Sequence, residues 1–224
     1  KNRKLIRDRM NFAFRLCFMV TIPSAVGFAV LSAPIYELLK YGHGSYLMMY
    51  GSGAVILMAI VQVQTSILQG SGMFYPVTFN LVLGIVGKIL TNYMLIAIPE
   101  ININGAIIGS VVSYCIPILL NGLLIKKRLR IKIRLTHIAA KPAVASVLMG
   151  IGVKVIYRIL SGALFFIQST YVVNALATLI SIIAGVLIYA VMLVVLKGLS
   201  REELDMLPGS ISSRLPERLL KHIQ

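Results

Sequence analysis

Charge is scarce in this sequence. Asp, Glu, Lys and Arg make up 13% of its 224 residues, where an ordinary soluble domain carries roughly 25%, and that gap excludes a soluble globule. Acids are scarcest, with seven Asp and Glu against 22 Lys and Arg, and all seven fall outside the long apolar runs or at their edges. Glu37 and Glu100 stand isolated and read as solvated loop charges. A membrane glycosyltransferase or phosphatase needs carboxylates or His near the bilayer face, so no catalytic residue is assigned and a membrane enzyme ranks last among the readings. Cysteine is nearly absent: Cys17 and Cys115 lie far apart inside apolar runs, without CxxC spacing, which removes a disulfide framework and a zinc site. His43, His137 and His222 sit in three separate regions, so no metal set forms and no cofactor is implied. GxSxG, HExxH and GxxxxGK[ST] are all missing. There is no low-complexity linker and no soluble domain. The opening KNRKLIRDRM has neither an initiating Met nor an apolar signal core, and reads as the start of a fragment or of a trimmed chain.

What the sequence has in abundance is hydrophobic residues, 58% of the total, gathered in runs of about 20 or more. Six spans are expected, at roughly 10–33, 45–70, 74–98, 103–125, 138–160 and 170–196, giving an all-α integral membrane protein. A basic segment at 1–9 precedes a six-span domain at 10–197, and 198–224 follows as a tail. Of the 22 Lys and Arg, 17 lie in three places: Lys1 to Arg9, Lys126 to Lys141 and Lys197 to Lys221. An even number of spans puts these on one face of the membrane, and the positive-inside rule makes that face, with both termini, cytoplasmic. Insertion accounts for the charge, so no nucleic acid is invoked for the cluster at 126–134. The stretch SAPIYELLKYG is expected to form a short interfacial helix, with Ser32 as its cap, Pro34 in its first turn and Gly42 as its stop. In the tail, Ser200 and Glu203 have capping-box spacing, and Leu215, Leu219, Leu220 and Ile223 share one face of a basic amphipathic helix; a frayed, solvated end fits equally.

Polar residues inside spans carry the functional signal. Asn80, Gly84, Lys88 and Asn92 recur every four residues along the third span and form a polar and small stripe. Lys88 is near mid-span, where a charge costs about 2.5 to 3.5 kcal/mol on insertion scales, so it must face protein or water. It either lines a cavity for an anionic group such as phosphate, or snorkels or pairs with an acid. Gln62, Thr65, Ser66 and Gln69 in the second span offer either more cavity wall or interhelical hydrogen bonds. Arg15 is a cavity candidate that snorkelling also explains. Lys154 and Arg158 read as interfacial. Gly105, Gly109 and Ser113, like Ala177, Ser181 and Gly185, are small residues at four-residue intervals, suited to close helix packing. Pro23 and Pro117 should bend their helices.

Three features carry a family resemblance: Gln69 and Gly70 before the span with Lys88 and Asn92, IPEININGA at 98–106 leading into Gly109 and Ser113, and SREELDMLPG at 200–209. Through them the sequence resembles the polysaccharide-transporter branch of the multidrug/oligosaccharidyl-lipid/polysaccharide flippase superfamily, and most of all its stage V sporulation protein B-like members. The segment from Ile22 to Gly42 fits the same pattern. The resemblance implies the last six spans of a two-lobe, MATE-like transporter of twelve to fourteen spans, with the N-terminal lobe absent from this chain. It further implies alternating access, a bacterial plasma membrane, and a lipid-linked saccharide of peptidoglycan, spore-cortex or exopolysaccharide synthesis as partner, with membrane lipids around it. On that view Gln69, Asn80, Lys88 and Asn92 face the substrate cavity, and the polar residues of the spans add Gln62 and Arg15 as candidates for it. Two alternatives remain: a cation-coupled multidrug exporter on the same scaffold, which a basic, acid-poor cavity suits poorly, and a non-transporting scaffold for cell-wall synthesis enzymes.

Overall fold

The computed structural model describes residues 2–131, 135–164 and 169–196. The stretches read from the sequence as the tail and as part of the basic loop, 198–224 and 132–134, lie outside the described residues. Every regular element among those described is helical: α1 (Asn2–Val30), α2 (Ser32–Leu38), α3 (Ser45–Gly51), α4 (Gly53–Gly70), α5 (Phe74–Ile96), α6 (Asn104–Leu124) with a π-helical turn at Ile125–Leu129, α7 (Leu135–Ala163) and α8 (Thr170–Val195). With α3 and α4 taken as one run, and α6 with its π turn, six helical segments among the described residues are long and apolar enough to cross a membrane. The surface agrees with that reading. Ile183, Val186 and Leu187 of α8 are each 63% exposed, as are many apolar side chains elsewhere, a pattern that water would penalise and lipid does not. The chain is a multi-pass membrane protein.

Two compact units divide the chain, one drawn from Lys1–Thr21 and Gly44–Leu135, the other from Ile22–His43 and Thr136 onward. In the first, α6 packs mainly against α5 and then α4. Met10, Leu68, Val77, Ile125 and Ile131 form its buried centre, and the rings of Phe14 and Phe18 lie 6.1 Å apart. The α-helical part of α1 begins at Asn2, so Arg7 and Arg9 ride on its opening turns. In the second unit Leu31, Met149 and Val153 form the core, and α2 packs on α8.

Ser32 does not cap α2. It is the first helical residue, and Leu31 holds the cap position without a side-chain bond. Because α1 ends only one residue earlier, its last carbonyls are within reach, and the Ser32 hydroxyl donates to Ala29 O at 3.1 Å. The turn after α2 passes through left-handed backbone at Lys40 (φ 56°) and Gly42 (φ 50°), and glycine accepts such backbone without strain. The small residues of α8, Ala177, Ser181 and Gly185, are all buried, and a Cβ on Gly185 would stand 2.6 Å from Val153 Cγ2. Pro23 lies inside α1, and Pro117 is buried in α6.

Candidate functional site

The stripe on α5 faces α6, and small residues set the distance between the two helices. A Cβ on Gly84 would stand 2.5 Å from the carbonyl oxygen of Ser113 and 3.0 Å from Pro117 Cδ. One on Gly87 would meet Ile116 Cδ1 at 2.5 Å, and one on Gly109 would overlap the Asn92 Oδ1 atom.

Asn80 is 7% exposed, and its Nδ2 donates to Oδ1 of Asn121 at 2.8 Å. This cross-helix bond ties the ends of α5 and α6 that adjoin the basic segment. Asn92, at the other end, keeps a buried Oδ1 against Gly109 with no hydrogen-bond partner. Lys88 lies between, half-buried, and no hydrogen bond or ion pair reaches its ammonium among the described residues. The described acids, Asp8, Glu37 and Glu100, are exposed and lie in the opening turns of α1, in α2 and in the loop after α5. Asp8 lies 3.7 Å from Arg7 Nε. A mid-span ammonium with no carboxylate beside it among the described residues must be accommodated by protein or water.

The other candidates divide. On α4, Val61, Gln64, Thr65 and Leu68 are buried, a seam at three- and four-residue spacing. Gln62, Thr65, Ser66 and Gln69 share one arc of this helix beside that seam, with Thr65 at its buried edge, Gln69 half-buried, and Gln62 and Ser66 exposed. The Ser66 hydroxyl is turned back to its own helix, donating to Gln62 O at 2.9 Å. Arg15 on α1 is half-buried. Asn80 and Asn92 meet α6 across the seam, and Lys88 stands between them on the same stripe of α5. Lys154 and Arg158 of α7 are exposed. Among the described residues no group of three or more His, Cys, Asp or Glu is placed to hold a metal ion.

No protein-family model matches the chain, and no solved structure matches it. It is 29% identical over 174 residues to the lipid II flippase MurJ of Bacillus subtilis (strain 168), an alignment that covers 75% of this chain and 31% of the relative. The resemblance to the flippase superfamily holds. The chain spans about a third of the length of the relative it matches.

Three polar residues of the bundle were not singled out from the sequence. Gln64 is 5% exposed with an unpartnered Oε1, and its Nε2 lies 3.7 Å from where a Cβ on Gly122 would stand, beside Asn121. Asn121 is fully buried, with its Nδ2 unpartnered. In the second unit Asn174 is 3% exposed and bonds to both Pro34 O and the Tyr157 hydroxyl. An Asn or Gln within a span is itself a signal, because hydrocarbon offers it no partner. Asn121 lay too near the basic segment to stand out, and Gln64 fell off the stripe drawn through Gln62 and Gln69.

Proposed function

We propose that this chain is the C-terminal part of a bacterial plasma-membrane flippase that carries a lipid-linked saccharide across the bilayer by alternating access. The cargo would be a precursor of peptidoglycan, spore cortex or exopolysaccharide. The similarity to a lipid II flippase supports the class of cargo, and the observation that carries the mechanism is Lys88. Lys88 is half-buried and has no acid beside it among the described residues, so its ammonium can exchange water for the pyrophosphate of a polyprenyl-linked sugar as that group enters the membrane interior. Asn80 and Asn92 sit above and below it on the same stripe and offer hydrogen bonds to the saccharide once the two helices part. Arg15 adds a second cation, while Gln62 and Gln69 contribute from α4. Both termini are cytoplasmic, with the basic segments kept on that side. No covalent step occurs; rocking of two lobes about a midplane cavity moves the head group while the tail stays in lipid.

The test is translocation of a fluorescent polyprenyl-linked saccharide by the full-length protein in vesicles. Lys88→Ala should lower the rate about tenfold, the effect of some 1.4 kcal/mol of lost attraction. Lys88→Glu should abolish transport, and Lys88→Arg should retain most of it. Unchanged flux in Lys88→Ala and Lys88→Glu would overturn the cavity assignment.

A further inference from the structure

The hairpin of α5 and α6 carries a second feature, which meets the Lys88 stripe only at Asn80. An open groove of about 240 Å3 runs along it, walled by Pro76 and Phe79 of α5 and by Leu120 and Leu123 of α6, with Asn80 and Lys127 as its polar lining. Helical geometry separates it from Lys88. Val77 and Leu81, one turn apart, pack in the core with Leu68 of α4. Lys88 stands three turns beyond Val77, on that same flank. Pro76 and Phe79 project from other directions at about 100° per residue, and Phe79 is 62% exposed.

The chemistry of the groove is that of an amphiphile's partner. From Leu120 to Lys127 it follows the helix for about 10 Å at 1.5 Å per residue, apolar along its length. Asn80 is already committed to Asn121. Lys127 is exposed, in the π turn where α6 ends, so its ammonium stands at the groove's end at the level where the chain leaves hydrocarbon. Lys126, Arg128 and Arg130 are exposed beside it, and the run Asn104–Leu129 contains no acid. We infer that this groove holds an acyl chain of an anionic phospholipid from the leaflet on the basic side, with the lipid phosphate on Lys127. A zwitterionic lipid would fit the walls equally well, but it would bring its own cation up to four basic side chains. Selectivity therefore comes from the head group, at about fivefold for one well-placed Lys.

The chain contains no Trp, so a Phe79→Trp variant of the full-length protein reports on the groove when its emission is compared with that of the unsubstituted protein. In vesicles, brominated phosphatidylglycerol should quench this added emission with about fivefold higher apparent affinity than brominated phosphatidylcholine. Lys127→Gln should remove the preference, and Lys126→Gln should preserve it. Equal quenching by the two lipids overturns the inference, and so does equal loss of preference in the two Lys variants, which would mark diffuse surface charge. Displacement of phosphatidylglycerol by a polyprenyl-linked saccharide would also overturn it, since the groove would then be a path for cargo. Failure of the Lys88 variants in transport has no bearing on this result, because Lys88 is on the other flank.

Discussion

Gly84 has no room for a side chain. Its α carbon faces the backbone carbonyl of Ser113, which cannot rotate away as a flexible side chain would, and a Cβ there would stand 2.5 Å from the oxygen. Gly84→Ala should therefore part α5 from α6 at a cost of about 1–3 kcal/mol, measured as a lower unfolding midpoint in detergent. Gly70→Ala, with open space around it, should leave the midpoint near its starting value. Equal effects at the two positions would contradict the packing described. The stripe through Asn80, Gly84, Lys88 and Asn92 was legible as a stripe, because four-residue spacing on a helix is one face whatever surrounds it. What lay opposite was not legible. The partners of Asn80 and Gly84, Asn121 and Ser113, are about 40 and 30 residues away, and spacing within a single helix says nothing of contacts that close across a hairpin.

At the scale of elements, short α2 is held by side chains rather than by its own seven residues, too few to be stable alone. Asn174 Nδ2 donates to Pro34 O at 3.0 Å, Tyr157 and Thr178 hydroxyls donate to Asn174 Oδ1 at 2.8 and 3.4 Å, and the Tyr171 hydroxyl reaches Leu38 O at 3.2 Å. Lys40 completes the clasp, with its ammonium 5.1 Å from the centre of the Tyr171 ring. Asn174→Leu would leave several of these groups without partners, at about 1–3 kcal/mol for each that stays buried. Hydrogen exchange over Ser32–Leu38 should then quicken at least tenfold, with Asn104–Leu124 unaffected, and unchanged exchange in α2 would refute the clasp. The helix itself was readable from Pro34 and the glycines that follow. Its cap was not, since whether Ser32 caps or donates backwards depends on how closely α1 precedes it.

At the scale of the whole molecule, the six apolar segments were visible in the sequence because their length is set by the thickness of hydrocarbon. Which sides of them meet was hidden for the complementary reason. In a membrane the surface and the interior are equally apolar, so hydrophobic periodicity, which marks the buried face of a soluble helix, marks nothing here. Val153 is buried and Val186 is 63% exposed on neighbouring helices of one unit, and composition does not distinguish them. Small and polar residues do carry that information, and they are why the α5 and α6 seam could be anticipated in part. The account as a whole rests on the Lys88 side chain facing a water-filled interior that receives an anionic head group. The most direct measurement places Cys at position 88 of the full-length protein after Cys17 and Cys115, both free thiols, have been changed to Ala. A membrane-impermeant thiol reagent needs a hydrated thiolate to react. Lys88→Cys should label, and a polyprenyl-linked saccharide should protect it. A position 88 thiol that stays unlabelled under conditions that modify Lys126→Cys, or that labels equally with and without cargo, would contradict the account.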